Sequence, residues 1–246
     1  MSLSLSSSAR RGVDLHDDIE RILGRQPTLI IDVGAQNGQT TAEYLTRFPE
    51  CRAYAFEPEL ENYAQAKTRL EAFGDRAHLF MDAVGDVSTQ VQLNVNSHTG
   101  THSLLESGDQ RYWDESVATL KRIPTQCRRL DDFFAELKIE KADLLAMDIQ
   151  GAELRALKGA ERLLGDQRVA LVYCEVEFYE LYKDQPLFWD VGSFLHRKGY
   201  HLYALYEPHY HKDNPRVLCW ADALFVSRLL LDLPRRVQPG GTASSA

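Results

Sequence analysis

The sequence predicts an α/β fold, a mostly parallel sheet with helices on both of its faces, and three observations indicate it. Apolar runs such as Leu29–Val33 and Ala142–Met147 do not alternate with polar residues, which is typical of strands covered on both sides. Segments with apolar residues at helical spacing separate these runs. Several runs end in a polar or glycine-containing turn that leads into a helix, and this order predicts parallel strands joined by helical crossovers.

Each predicted element has its own signal. Leu15 and Ile19 lie at helical spacing and predict a first helix over residues 14–23, which Gly24 ends. Pro49 ends the next helix, because proline cannot continue one. Further helices are predicted at residues 38–48, 60–73, 130–134, 153–164 and 188–198. Strands are predicted at residues 28–33, 52–56, 77–81, 91–96, 123–129, 142–147, 169–176, 200–206 and 221–227, whereas residues 113–120 show no clear pattern.

Length and charge bound the domain organisation and the partners. The 246 residues suffice for one large α/β domain, which we expect over residues 14–230. We expect a flexible serine-rich leader at residues 1–13 and a flexible polar tail at residues 231–246. The net charge of −8 argues against a nucleic-acid partner. No apolar run reaches the length of a membrane span, so no membrane partner is expected.

The cysteines bear on the cellular compartment. Four are present and widely spaced, and no two form a CxxC pair. Such cysteines are typical of a protein that keeps its thiols reduced, so we expect a cytoplasmic protein with mostly buried cysteines.

The turn after the first strand has the composition of a cofactor-binding turn. Asp32 lies in the apolar strand, and Gly34 and Gly38 follow before a helix begins. Glycines let the backbone approach a ligand closely, and a helix start offers unpaired N–H groups. Gln36 stands where the dinucleotide motif G-x-G-x-x-G has a middle glycine. A plain tight turn in an α/β protein is the alternative interpretation.

Acids at the ends of the next two strands extend this candidate site. Glu57 is placed to accept hydrogen bonds from both ribose hydroxyls of an adenosine cofactor. Asp82 follows the third strand, where it would accept from the adenine amino group. A strand-end acid or a turn residue without a ligand is the alternative for each. The predicted cofactor-binding residues are Asp32, Gly34, Ala35, Gln36, Asn37, Gly38, Glu57, Pro58, Asp82 and Ala83.

Seven segments between residues 29 and 227 resemble, in order, the landmarks of FkbM-type S-adenosylmethionine-dependent methyltransferases. They are IDVGAQNGQT, AFEPE, MDAVGD, GTHSLLE, LDDFF, MDIQGAELRALKGAERLL and WADALFVS. The most specific is the group of Asp148, Gly151, Ala152 and Glu153, followed by LKGA. Two positions depart from the family's usual pattern: Gln36 replaces an asparagine, and Gln150 (within MDIQGAE) replaces an acid.

The resemblance implies a class I methyltransferase fold, a seven-stranded sheet whose last strand is antiparallel, with helices on both faces. It also implies S-adenosylmethionine as the cofactor. Family members typically methylate a hydroxyl on a sugar, a glycan or a natural product, so we expect a small-molecule or glycan acceptor. Two other functions remain open, a non-catalytic S-adenosylmethionine-binding or interaction module on the same fold, and a nicotinamide-dependent oxidoreductase. The missing G-x-G-x-x-G motif disfavours the oxidoreductase.

Methyl transfer to an alcohol needs a group that takes up the hydroxyl proton. Ligands of an open parallel sheet lie outside the carboxyl ends of its strands. Asp148 and Glu175 are placed there, so they are the first and second candidates, and His102 in a polar loop is the third. No metal is predicted; if one is needed, Asp148 and Glu175 would bind it. The alternatives are a helix cap for Asp148, a buried arginine partner for Glu175 and a surface position for His102.

The connection before the last strand is the remaining candidate. Residues 207–218 separate the sixth and seventh strands of the expected sheet and should lie on the crevice side. We expect them to form a loop that covers the acceptor, although an exposed loop without a role is the alternative. Its polar side chains are those of His209, Tyr210, His211, Lys212, Asp213 and Asn214.

Overall fold

The strands of the protein form two sheets, and seven α-helices accompany them in the residues described. The computed structural model describes residues 11–108 and 116–231. The strands are β1 (Leu29–Val33), β2 (Arg52–Phe56), β3 (Ala77–Phe80), β4 (Ala83–Val84), β5 (Gln90–Asn96), β6 (Thr119–Arg128), β7 (Ala142–Met147), β8 (Val169–Glu177), β9 (Tyr200–Tyr210) and β10 (Leu218–Ser227). The helices are α1 (Leu15–Leu23), α2 (Gln39–Arg47), α3 (Leu60–Leu70), α4 (Leu130–Glu136), α5 (Glu153–Gly159), α6 (Glu161–Gly165) and α7 (Phe188–Arg197).

Parts of the predicted organisation lie outside the described residues. They are residues 1–10 of the expected leader, residues 232–246 of the expected tail, and residues 113–115 of the unassigned segment 113–120. The flexible leader and tail therefore stay predictions.

The larger sheet has the strand order β3-β2-β1-β7-β8-β10-β9. The first five of these strands run parallel to their neighbours, and β10 is antiparallel to both β8 and β9. The predicted seven-stranded sheet with an antiparallel last strand is confirmed. The strand order reverses between β1 and β7, and such a reversal opens a crevice outside the carboxyl ends of the strands.

Helices cover both faces of this sheet, which explains why its central strands are apolar throughout. Successive side chains of a strand point to opposite faces. Ile30 packs in one core with Tyr44 of α2, whereas Ile31 packs in the other core with Leu157 of α5. Both isoleucines are fully buried. The four cysteines are buried and free of disulfides, as predicted.

Helix α1 is fixed against the end of the sheet. Asp14 caps its first turn by accepting from the Asp17 N–H at 2.9 Å, and Gly24 ends it in a left-handed conformation. The buried Asp18 accepts from the hydroxyls of Tyr203 at 3.1 Å and Tyr206 at 2.8 Å. The first turn of α1 thus lies close to β9 and to the crevice.

A second sheet of three strands adjoins the crevice. β6 pairs in parallel with β4 and antiparallel with β5. At the end of β5, Asn94 and Ser103 exchange backbone hydrogen bonds of 2.9 and 3.2 Å. This pairing turns residues 99–104 back over the carboxyl ends of the larger sheet.

Several predicted boundaries were wrong, among them the start of β6, which begins at Thr119 instead of residue 123, and two further differences bear on the candidate site. The single helix expected over residues 153–164 is divided at Ala160 into α5 and α6. Gly159 lies against Gly85 there, so closely that a Cβ on Gly159 would come within 1.9 Å of the Gly85 carbonyl oxygen. Strand β9, expected to end at Tyr206, continues through Tyr210.

The longer β9 shortens the connection that was expected to be a loop. Glu207 lies in a bulge with a φ of +45°, between the pairs that Asp222 and Trp220 make with β9. His209 stacks on Trp220 with ring centroids 3.7 Å apart. The actual loop is residues 211–217. It lies at the crevice edge, because Trp220 pairs with Glu177 at the carboxyl end of β8.

Candidate active site

A cavity of about 490 Å³ opens where the strand order of the larger sheet reverses. Its volume falls within the usual range for small-molecule sites. The turn after β1, the end of β2, residues 99–104 and the end of β7 line it, together with the first turn of α1 and parts of α2, β8, β9 and β10. Nine of the ten predicted cofactor-binding residues line this cavity, the exception being Gly38. Asp148 and His102 line it as well, whereas Glu175 does not.

The glycine turn, residues 34–38, packs closely against the segments beside it. The N–H groups of Gly34 and Ala35 donate to the Phe56 carbonyl at 3.0 and 2.9 Å. Gly34 has a φ of +89°, and a Cβ on it would come within 2.0 Å of the Asp148 carbonyl oxygen. Gly38 has a φ of +80°, and a Cβ on it would lie 3.0 Å from the Cα of Ala66. Only glycine fits either position, so the turn can pack directly against Asp148 and Ala66.

Asp32 lies beneath this turn and is buried. The Thr41 hydroxyl donates to its carboxylate. Burial raises the pKa of Asp32 to about 6, and the nearby charge of Asp148 adds to the shift, whereas the bond from Thr41 opposes it. Asp32 therefore connects the turn to α2 and places a negative charge under the cavity.

Glu57 is held by two backbone groups. Its Oε2 accepts from the Gln36 N–H and its Oε1 from the Glu59 N–H, both at 2.9 Å. Burial raises the pKa of Glu57 to about 7, even though these two bonds oppose the shift. Each carboxylate oxygen can accept more than one hydrogen bond, so Glu57 can still accept from a diol in the cavity.

Two predicted cofactor residues already have partners. Asp82 accepts from the Arg128 guanidinium at 3.0 Å, although it still lines the cavity. The Asn37 side chain caps the start of α2 by accepting from the Gln39 N–H at 3.1 Å, and it also pairs with Arg69. Asn37 thus shapes the turn by its side chain.

The two predicted acids, Asp148 after β7 and Glu175 near the end of β8, both accept hydrogen bonds from the side-chain amide of Gln150. Gln150 Nε2 donates to Asp148 Oδ1 at 2.7 Å and to Glu175 Oε2 at 2.8 Å. The Tyr182 hydroxyl donates to Gln150 Oε1 at 2.8 Å, and the Ser103 hydroxyl to the Gln150 carbonyl at 2.7 Å. Gln150 has a φ of +55°, so these contacts hold it in a conformation that costs energy.

Burial raises the pKa of both acids in this pair. Asp148 is open to the cavity, but the surrounding protein desolvates its carboxylate, and the bond from Gln150 opposes the resulting rise in pKa. For Glu175, desolvation is the first cause of the raised pKa and the charge of Asp148 the second. A carboxylate with a raised pKa is a better proton acceptor when ionised, which suits a general base.

His102 lines the cavity, but its bonding favours a donor role. Its Nδ1 accepts from the Asn96 N–H at 3.1 Å. Burial lowers the pKa of His102, so the neutral ring is favoured, and its single proton must then lie on Nε2. In this form Nε2 donates a hydrogen bond and cannot take up a proton.

Sequence reasoning assigned no site role to several residues of the cavity region, among them Glu153 of the family motif. Glu153 accepts from the Ile149 N–H at 2.9 Å, and burial raises its pKa to about 8. Tyr44, Tyr173 and Asp222 line the cavity from the side of α2 and the last strands. Asp222 is an acid within an otherwise apolar strand, which was a usable signal. The tyrosines gave none, because tyrosine is common in ordinary cores.

No group of three or more histidine, cysteine, aspartate or glutamate side chains within the described residues is arranged to hold a metal ion. None of the helices in residues 11–108 and 116–231 has the length and apolarity needed to cross a membrane.

The chain is similar to known proteins in sequence and in fold. The chain is 27% identical over 186 residues to the 2-O-methyltransferase NoeI of Sinorhizobium fredii, which covers 70% of this chain and 72% of that protein. It is 30% identical over 163 residues to the AMB antimetabolite synthetase AmbE of Pseudomonas aeruginosa, which covers 54% of this chain but only 8% of that protein. An rRNA methylase from Streptococcus thermophilus superposes with a TM-score of 0.47 at 12% identity, over 90% of this chain and 99% of that one.

The family match is more extensive than these pairwise similarities. Residues 32–202 match the methyltransferase FkbM domain. The matched range contains the glycine turn, Glu57, Asp148 and Glu175, and so most of the cavity. The family resemblance predicted from the sequence is therefore confirmed: the chain belongs to the FkbM family and is an S-adenosylmethionine-dependent methyltransferase.

Proposed function

We propose that this enzyme transfers a methyl group to a hydroxyl of a sugar, a glycan or another small molecule. The observation that carries the proposal is the placement of Asp148, a desolvated carboxylate, next to a glycine turn and an acid suited to an adenosine cofactor. The printed name of the NoeI relative, a 2-O-methyltransferase, supports oxygen as the methylated atom.

The residues present fit S-adenosylmethionine. The turn at Gly34 and Ala35 lines the cavity and would provide a surface for the methionine part, and the start of α2 would offer N–H groups to its carboxylate. Glu57 would accept from the two ribose hydroxyls. Asp82 and Ala83 would lie at the adenine. When bound, the cofactor supplies an electrophilic methyl group on a positively charged sulfur.

The acceptor hydroxyl requires a proton acceptor, because a protonated alcohol is a poor nucleophile. We assign this role to Asp148. Gln150 donates to Asp148 Oδ1 and so fixes the carboxylate. The other oxygen, Oδ2, is left to accept from the hydroxyl that is methylated. Glu175 shares the same amide and supports the geometry without lining the cavity. Asp148 thus takes up the hydroxyl proton as the oxygen attacks, and the cavity walls hold the two reactants in line.

A transfer assay tests this proposal. The full chain is incubated with methyl-labelled S-adenosylmethionine and a panel of hydroxylated metabolites and glycans, and the products are separated by mass. We expect label on an oxygen of at least one polyhydroxylated compound, with S-adenosylhomocysteine released in equal amount. Label found only on nitrogen or carbon atoms would contradict O-methylation. We also propose that the enzyme is cytoplasmic, which its four free cysteines support.

A further inference from the structure

One side of the cavity is not used by the residues assigned to the cofactor. It is lined by the first turn of α1, by one face of α2, and by side chains from β8, β9 and β10. In the strand order, β8, β10 and β9 lie beyond β7, on the side away from β1 and β2. The residues concerned include Tyr44, Tyr173, Glu207 and Asp222.

Tyr44 places an unused hydroxyl in this region. The residue is 1% exposed, and its hydroxyl has no hydrogen-bond partner within the described residues. Buried polar atoms nearly always have a partner, and leaving one without costs free energy. Burial raises the pKa of Tyr44, and the charges of Asp32 and Asp222 add to the rise, so the phenol stays protonated and able to donate. Tyr44 lines the cavity although its hydroxyl is covered, so a small shift of the ring would let a ligand oxygen supply the missing partner.

Asp222 and Glu207 supply hydrogen-bond acceptors on the same side of the cavity. The Tyr173 hydroxyl donates to Asp222 Oδ2 at 2.8 Å and holds that carboxylate in place, and no bond within the described residues uses Oδ1. Burial raises the pKa of Asp222 to about 6, although the bond from Tyr173 opposes the shift. Glu207 reaches the cavity from the bulge in β9, at a φ of +45°. Bulges commonly redirect a side chain next to an active site.

The charge of the lining limits which molecules can enter. Within the described residues the cavity is lined by eight carboxyl side chains and by no lysine or arginine. They are Asp14, Asp32, Glu43, Glu57, Asp82, Asp148, Glu207 and Asp222. Burying a phosphate or a carboxylate among these groups without a cation would be costly, because like charges repel strongly in a poorly solvated site.

We propose that Tyr44, Glu207 and Asp222 form the acceptor subsite and that it takes an uncharged or amine-bearing polyol, a sugar without phosphate or carboxylate groups. Hydroxyls of the sugar donate to Asp222 and Glu207, and one hydroxyl oxygen accepts from Tyr44. The inference rests on the proposed function and adds the substrate class to it.

The first experiment compares matched acceptors. Methyl glycosides of common hexoses are tested beside the corresponding amino sugars, uronic acids and 6-phosphates, with labelled cofactor. We expect transfer to neutral or amino sugars at rates at least about tenfold above the matched anions. Equal or faster transfer to an anionic member would overturn the inference. So would the absence of transfer to every sugar from protein that still binds S-adenosylhomocysteine, whereas loss of that binding would instead refute the proposed function.

The second experiment uses Tyr44→Phe with Tyr200→Phe as its matched control. Both tyrosines are buried, but the Tyr200 hydroxyl donates to the Val169 carbonyl at 2.6 Å. Tyr44→Phe should raise KM for the methylated sugar about tenfold, with unchanged S-adenosylhomocysteine affinity and no loss of thermal stability. Tyr200→Phe should lower the melting temperature and leave KM unchanged. An unchanged KM in Tyr44→Phe, or a weakened cofactor affinity, would show that this region does not bind the acceptor.

Discussion

Gly34 and Asp148 are in direct backbone contact: a Cβ on Gly34 would come within 2.0 Å of the Asp148 carbonyl oxygen. The cofactor turn after β1 and the proposed base after β7 are thereby fixed against each other. The Asp148 N–H also donates to the Val33 carbonyl at 3.0 Å. A change that separates these two segments would move the base away from the cofactor.

Gly34→Ala should therefore cost much more than the loss of glycine's flexibility. Gly24→Ala is the matched control, because Gly24 also has a positive φ, +67°, but a Cβ there would meet nothing within 4 Å. We expect Gly24→Ala to lower the free energy of unfolding by about 1 kcal/mol. Gly34→Ala should lower it further and abolish S-adenosylhomocysteine binding, as measured by denaturation and calorimetry. Equal stabilities for the two variants would contradict the contact.

Asp148→Asn tests the proposed base. The asparagine oxygen can still accept from Gln150, so the site should keep its shape, but the side chain can no longer take up a proton. We expect kcat to fall by about 10²–10⁴-fold, with nearly unchanged cofactor affinity. Rapid-quench measurement of a single turnover would separate this loss from slow product release. Turnover at the wild-type rate would show that Asp148 only shapes the chain before α5.

Gln150→Met tests the amide that joins the two acids. The change keeps the side-chain length and removes the donor whose bond lowers the pKa of Asp148. The pKa of Asp148 should rise, so the acidic limb of the profile of log(kcat/KM) against pH should move to higher pH. A profile that keeps its midpoint in Gln150→Met would show that the amide does not set the protonation of Asp148.

Glu153→Gln tests the buried acid of the family motif, to which sequence reasoning assigned no role. Burial raises the pKa of Glu153 to about 8 in the folded protein, from an ordinary value near 4.5. The folded state thus binds a proton that the unfolded state releases, and this group makes stability fall as pH rises from about 4.5 to 8. Glutamine binds no proton but keeps the acceptor for the Ile149 N–H.

We expect the difference in free energy of unfolding between Glu153→Gln and wild type to depend on pH. Glu153→Gln should match wild type near pH 5 and exceed its free energy of unfolding by roughly 2–4 kcal/mol at pH 8. Glu161→Gln serves as the control, because Lys198 lowers the pKa of the exposed Glu161 and reverses the sign of its small effect. Urea denaturation at several pH values measures both. A constant offset between Glu153→Gln and wild type at all pH values would contradict the shift.

The larger sheet could be predicted because its signals are local. Continuous apolar runs mark the strands, and the turn after β1 carries its glycines in sequence. The break at Ala160 could not be predicted, since residues 153–164 keep helical spacing and the close neighbour of Gly159 is the distant Gly85. The extension of β9 was hidden for a similar reason. Pro208 and its polar neighbours have the composition of a loop, and pairing with β10 overrides that preference.

The candidate site likewise has one part that the sequence predicts and one part that it does not. The cofactor residues follow strand ends in sequence, and all of them except Gly38 line the cavity. The acceptor subsite depends on which elements meet, and no local pattern brings Tyr44 of α2 to Asp222 of β10. The stack of His209 on Trp220 also shows why the expected lid must be reduced to residues 211–217, whose role stays a prediction.

The central claim is that the glycine turn and Glu57 bind S-adenosylmethionine, and calorimetric titration of the full chain with S-adenosylhomocysteine tests it most directly. We expect saturable binding with one site per chain. Glu57→Ala should weaken it by about 1–3 kcal/mol, because the charge-assisted bonds to the ribose hydroxyls are lost. Glu57→Ala should leave the fold intact by circular dichroism. Folded wild-type protein that binds neither S-adenosylhomocysteine nor S-adenosylmethionine, or Glu57→Ala that binds as tightly as wild type, would contradict the account.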